Sequence, residues 1–261
     1  MRSKSRLRTR IVFGVVVFAG IAVGGLSRAA DLTVNPSADT FVFAGEAASN
    51  YGAAGQLAVS DAGQPQGQYQ ALMRFDLAAI KSSFDATLGA GKWTLQAATL
   101  RLSTANPNNP IFNPNLAGSF AASWMQNDAW NEGTGTPMTP TTDGITFSTL
   151  SSFIGAQDQS LGTFAFPGGT SGNNTYALNL TPGLVGDVQA GDLLSIRLFA
   201  DTGMTVSDNF SSRSFQTTAN RPVLTLSAVA VPEPSTAGAL AVAFAILGAG
   251  ARSRRGQRAR A

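Results

Sequence analysis

Histidine and cysteine are absent from the chain, so chemistry must come from carboxylates, hydroxyls, amides, aromatic rings and guanidinium groups. Their absence removes Ser-His-Asp triads, thiol nucleophiles and zinc sites of the usual kind. Two carboxylates, one held protonated, can cleave a polysaccharide, yet no spacing among the acids from Asp31 to Asp208 singles out a pair. No catalytic residue is therefore expected. A sugar-binding surface is the better functional idea. Pyranose rings present C–H faces that stack on Tyr and Trp, while carboxylates, amides and guanidiniums bond the hydroxyls. Tyr51 and Trp130 are the candidate stacking rings, with Arg74, Glu132 and Arg213 as polar partners. Tyr51 sits between Asn50 and Gly52, where closing a turn is the competing role, and Trp130 borders a loop and reads either way. Tyr69 offers the same chemistry, but Trp124 lies in phase with Phe120 and Ala122 and is expected in the core. For a metal, the candidates are Asp39, Asp61, Asp201 and Asp208, at expected strand ends or in loops where hard oxygen ligands for Ca²⁺ collect. No EF-hand loop is present, solvated acids are the commoner case, and no other cofactor is expected.

The two ends of the chain are built differently from its middle. Arg2, Lys4, Arg6, Arg8 and Arg10 precede an apolar run from Ile11 to Gly25, and Ser27-Arg28-Ala29 places small residues where a signal peptidase reads. Residues 1–29 are thus expected to be a signal peptide, cut after Ala29 or Ala30; an uncleaved anchor is the alternative. At the other end, Pro232-Glu233-Pro234 is followed by an apolar run from Ala237 to Ala251, then Arg252, Arg254, Arg255, Arg258 and Arg260. The prolines hold an extended peptide. The apolar run reaches about 22 Å as a helix against roughly 30 Å of hydrocarbon, and the arginines favour the cytoplasmic side.

Setting the ends aside reverses the apparent charge. The whole chain carries 18 Lys+Arg and 15 Asp+Glu. Six basic residues lie at or before Arg28 and five after Ala251, leaving seven, while all acids except Glu233 lie between, so residues 31–230 carry about −7. Nucleic acid is not an expected partner, because binding phosphates needs the opposite sign. A glycan ligand is expected to be neutral, or acidic and bridged by Ca²⁺.

Short runs of alternating apolar residues recur between Gly, Pro, Asn and Ser clusters. Met73, Phe75 and Leu77 point one way and Arg74 and Asp76 the other, with similar alternation at Phe41-Phe43, Ala98-Leu100-Leu102 and Leu194-Ile196-Leu198. About ten strands without a βαβ rhythm predict an all-β fold, an antiparallel β-sandwich of jelly-roll type. No long segment shows helical period, and one helical turn is predicted around Leu184 to Val188, opened by Thr181-Pro182 and closed by Gly191. Asn106 to Asn115 and Gly133 to Gly144 are predicted loops. Asp76 is expected to pair with Arg74 or a cross-strand arginine.

Two resemblances follow from these residues. The order of Pro232-Glu233-Pro234, apolar segment and arginine-rich end resembles the PEP-CTERM sorting signal of bacterial exported proteins. It implies residues 231–261 as a sorting tail, an exosortase-type enzyme cutting at or near the motif, and an association with extracellular polysaccharide. In the middle, Ala38-Asp39-Thr40-Phe41-Val42, Asn50-Tyr51-Gly52 and Leu72-Met73-Arg74-Phe75-Asp76-Leu77 come in order. They are followed by Ala98-Thr99-Leu100-Arg101-Leu102, Trp130-Asn131-Glu132-Gly133-Thr134-Gly135, Gly144-Ile145-Thr146-Phe147 and Phe210-Ser211-Ser212-Arg213. This series resembles a DNRLRE-type module and implies a carbohydrate-binding-like β-sandwich over residues 31–229. Phe147 stands where that family more often has Trp, and Ser214 where it often has an acid.

Together these readings lead to a non-catalytic protein exported through the secretory translocon to the cell envelope, surface or extracellular matrix. Its C-terminal apolar helix holds it in the membrane before processing, and extracellular polysaccharide is its expected partner. The alternatives are a carboxylate-based polysaccharide hydrolase or lyase, and a permanently membrane-tethered structural surface protein.

Overall fold

The computed structural model describes residues 28–232 apart from 108, 110, 201 and 202. The predicted signal peptide up to Ser27, and the tail from Glu233 with its apolar helix and arginines, lie outside the described residues. No helix among the described residues is long and apolar enough to cross a membrane.

Eleven strands form the body: β1 (Ala29–Val34), β2 (Ala38–Phe43), β3 (Gln56–Ser60), β4 (Tyr69–Asp76), β5 (Trp93–Thr104), β6 (Gly118–Met125), β7 (Gln159–Phe166), β8 (Gly172–Leu178), β9 (Leu193–Phe199), β10 (Ser207–Ser211) and β11 (Val223–Ala230). Three helices join them: α1 (Ala78–Leu88), α2 (Phe147–Leu150) and α3 (Pro182–Ala190). Every ladder between these strands is antiparallel. The strands β2-β4-β9-β6-β7 make one fully paired layer, and β1-β11-β5-β8 make the other. The β3–β10 pair connects them through single pairings, Ser60 with Tyr69 and Phe210 with Thr104. This is the predicted β-sandwich, in which each layer hides one face against the other.

Alternation decides what lies between the layers. Met73, Phe75, Ile196, Leu198, Phe120 and Trp124 face the second layer and pack with Leu100, Leu102, Leu224 and Leu226. Helices α1 and α3 cap this core with Ile80, Phe84 and Leu88, and with Leu184 and Val188. The turn predicted near Leu184 is the full helix α3, with the Thr181 side chain accepting from Leu184 N and Gly191 at its C-cap. Helix α1 contradicts the expectation of no longer helix. Its Ile80, Phe84 and Leu88 recur every fourth residue and are all buried. Asp76 serves this helix: its Oδ1 accepts from Ala78 N at 3.0 Å rather than pairing with Arg74.

The outer face of the first layer is also partly covered. Val42 and Leu72, on that outer face, are sealed by Trp130, Ile145 and Leu150 from the segment between β6 and β7. The predicted loop 106–115 runs between strands but carries Phe112 and Asn113 into the interior, so it is anchored there.

Candidate carbohydrate-binding surface

The motif residues converge on the cover segment that joins β6 to β7. Asn50, fully buried, is its hub: its Nδ2 donates to Glu132 O at 2.7 Å and Ile145 O at 2.8 Å, and its Oδ1 accepts from Gly52 N at 3.0 Å. Gly133 has φ +75°, and a Cβ there would overlap Asn50 Oδ1. Gly135 presses on Asn50 O in the same way. These glycines let the backbone close around one amide, which gives the Asn-Tyr-Gly and Trp-Asn-Glu-Gly-Thr-Gly stretches their structural reason.

Glu132 ties three segments together. Its Oε1 accepts from Asp39 N at 2.9 Å and from Arg213 Nε at 2.6 Å, and its Oε2 pairs with Arg213 Nη2. Arg213 N in turn donates to Asp39 Oδ2 at 2.6 Å. The Asp39 carboxyl is fully buried, and burial pushes its pKa up to about 7.

Four of the five expected sugar contacts, Arg74, Trp130, Glu132 and Arg213, therefore form a lock that holds the cover, and Tyr51 packs in a separate aromatic cluster. Trp130 is fully buried; its Nε1 donates to Ser195 Oγ at 2.9 Å, and Arg74 lies 4.9 Å over its ring. Arg74 Nη1 also donates to the carbonyls of Asp128 and Trp130 at 2.8 and 2.7 Å. Tyr51 stacks on Phe41 at 4.5 Å and donates its hydroxyl to Glu46 Oε2. Neither Trp130 nor Tyr51 offers a ring face to solvent, which corrects their assignment as stacking platforms. Glu132 and Arg213 spend their charges on each other. Tyr69 is likewise buried, stacked on Phe43 at 4.3 Å, and Trp124 is in the core as expected, its Nε1 bonded to Asp187 Oδ2.

The three candidate Ca²⁺ ligands among the described residues, Asp39, Asp61 and Asp208, are not brought together into a metal site. Asp61 accepts from Gly63 N and Gly203 N, both at 2.6 Å. Asp39 belongs to the lock. Asp208 lies inside the sandwich, where burial raises its pKa to about 8, and Asp201 is outside the described residues. Among the described residues no three His, Cys, Asp or Glu side chains gather into a metal site.

One surface open to a ligand lies on the cover itself, at residues not singled out as sugar contacts from the sequence. A depression of about 310 Å³ is lined by residues including Asn131, Thr142, Asp143, Thr149, Ser152 and Phe153. It falls at the lower end of the range for small-molecule sites. Asp143 accepts from Thr134 N at 3.0 Å, Thr134 Oγ1 at 2.6 Å and Thr141 Oγ1 at 2.5 Å. Those bonds pull its pKa down to about 2, so it presents a fixed anionic acceptor at neutral pH. Phe153, half-buried, supplies a ring, and the hydroxyls and the Asn131 amide supply donors and acceptors in both senses. The sequence signal for this place was the hydroxyl-rich stretch around Thr141 to Ser152. Its close spacing in the fold depends on the Asn50 hub and is not visible along the chain.

No curated protein matches the chain. Residues 30–152, a little under half of the chain, match the model of carbohydrate-binding module family 96, so this part is similar to a carbohydrate-binding β-domain and includes the lock up to Glu132 together with nearly all of the depression.

Proposed function

We propose that the chain is an exported, non-catalytic protein of the cell surface or extracellular matrix that binds extracellular polysaccharide through the depression beside Asn131, Asp143 and Phe153. The observation that carries this reading is the match of residues 30–152 to a carbohydrate-binding module family. Supporting it, the depression offers a ring and a mixed set of hydroxyl, amide and carboxylate groups, the pairing that sugars require. The non-catalytic reading is supported by burial. Asp39 and Asp208, raised to about 7 and 8, are sealed from any polymer, and Asp187, raised to about 6 and half-buried, is held by Trp124 Nε1 at 2.6 Å. With Asp143 ionised at the site, the ligand is a neutral glycan, or an acidic one bridged by Ca²⁺.

Affinity electrophoresis of the protein in gels containing β-glucan, xylan, mannan or alginate tests this. Retardation by at least one polymer is expected, and Asn131→Ala with Phe153→Ala abolishes it. Release of reducing ends from any of these polymers would instead support the hydrolase reading.

For export, we read residues 1–29 as a signal peptide removed by signal peptidase, and residues 231–261 as a sorting tail processed by an exosortase-type enzyme at Pro232-Glu233-Pro234. The support is the tripartite pattern at each end. Intact-mass measurement of the protein recovered from the cell envelope is expected to lack both ends. Retention of Arg252 to Arg260 would favour a permanently tethered surface protein.

A further inference from the structure

The cover segment stops short of the far side of the first layer. Beyond it, on the outer face of β6, β7 and β9, runs a trough of about 240 Å³. Its floor is low because β6 presents Ala121 and Ser123 there, opposite Phe199 and Arg197 of β9. One wall is the Arg197–Phe199 pair, with the guanidinium carbon 3.9 Å over the ring. The other is the edge strand β7, where Ser160 is exposed. One end is closed by Ile154 and Asp158. Asp158 fixes that turn, since Oδ1 accepts from Gln126 N at 3.1 Å and Oδ2 from Gly155 N at 3.2 Å.

The two depressions are neighbours. Phe153 lines the one on the cover and Ile154 lines the trough, so adjacent residues form the ridge between them. Consecutive Cα atoms are only about 3.8 Å apart, less than the length of one sugar ring. We propose that the trough is a second glycan subsite, and that one chain of linked sugars crosses the Phe153–Ile154 ridge to occupy both depressions. The small-residue floor accepts the C–H face of a pyranose ring, and Arg197, Ser160 and Gln159 meet its equatorial hydroxyls. The inference rests on the carbohydrate-binding reading above and adds to it a length requirement. A chain that engages both places gains from the second contact without a second loss of translational freedom.

Isothermal titration of the full chain with cello-, xylo-, manno- and mannuronan-oligosaccharides, each as disaccharide, tetrasaccharide and octasaccharide, tests it. For the series that binds, Kd is expected to fall about tenfold or more from disaccharide to octasaccharide. Ser160→Trp, which fills the trough from an exposed position, and Phe199→Ala, which removes its wall, should each erase most of that gain. Melting curves superimposable on wild type would show that Ser160→Trp is folded. Length-independent binding, or a folded Ser160→Trp variant that keeps the full gain, would overturn the second subsite and leave the carbohydrate-binding reading standing. No binding of any probe by the wild type would overturn both.

Discussion

Arg213 and Glu132, 81 residues apart in the chain, meet through two parallel bonds, with Arg213 Nε 2.6 Å from Glu132 Oε1. The pair joins the turn after β10 to the cover segment, and the Asp39 backbone amide shares the same carboxylate. Its Arg213 side chain is 38% exposed, so solvent screens part of the attraction. Glu132→Ala leaves Asp39 N and the guanidinium without their acceptor. The expected loss is about 2 kcal/mol, read from urea denaturation, and Arg213→Lys should cost less than Glu132→Ala because it keeps the charge but not the fork.

Trp130 is predicted to matter for stability and not for ligand. Trp130→Ala opens a cavity among Val42, Leu72, Ile145 and Leu150 and should cost about 3–5 kcal/mol. Trp130→Phe retains most of the packing and leaves Ser195 Oγ without its donor, for a loss of about 1 kcal/mol. Equilibrium unfolding checks both values. The Phe variant should be retarded by the same polysaccharide as wild type, which a ligand-stacking Trp130 would not permit.

The Asn50 hub predicts where the fold opens first when it is weakened. Asn50→Asp replaces two donated bonds with a carboxylate facing the carbonyls of Glu132 and Ile145, and Gly133→Ala forces a side chain into Asn50. Each should release the cover while the inter-sheet core persists, because that core draws on a separate set of residues. Limited proteolysis read by mass spectrometry should show new cuts between residues 131 and 145. An unchanged cleavage pattern in both variants would argue against the hub.

The buried carboxyls set an unusual pH dependence. Burial raises Asp39 to about 7 and Asp208 to about 8, above their unfolded values near 3.8. The folded state therefore holds protons that the unfolded state releases. The resulting stability is fully present below about pH 4, declines as pH rises, and is lost once pH passes through 7 to 8. Melting temperature should be higher at pH 5 than at pH 9, opposite to acid denaturation driven by paired carboxylates. Asp208→Asn, neutral at every pH, should flatten the profile and raise stability at pH 9. Scanning calorimetry across that range measures it.

The strands were legible because a half-buried ladder alternates. Leu194, Ile196 and Leu198 differ in environment from Arg197 in the way their sequence implies. Helix α3 was legible from Thr181-Pro182 and Gly191, whose roles are local. Helix α1 was not. Its three apolar residues sit among Ala78, Ala79, Ser82, Ser83 and Ala86, so the stripe carries little contrast until α1 is seen against the core. Strand β1 overlapped the expected signal-peptidase site, and that reading displaced a strand there. The roles of Tyr51 and Trp130 were hidden for a different reason. An aromatic residue beside a loop is exposed only if nothing folds over it, and what covers these two comes from residues distant in the chain. The trough is less legible still: Ser123 and Arg197 become neighbours only through the β6–β9 register.

In the β1–β11 ladder, Ala29 stands across from Val229, and Ala230 N donates to Arg28 O at 2.8 Å. In a chain that keeps both flanking segments, uncut after Ala29 and anchored at each end, tension applied through them would thus arrive at the same end of that ladder. Its bonds would break in succession, as in a peel, and never all at once, as in a shear. A load of that kind would strip β1 from the sandwich before it strained the face that carries the depressions, leaving any held glycan undisturbed by the first opening.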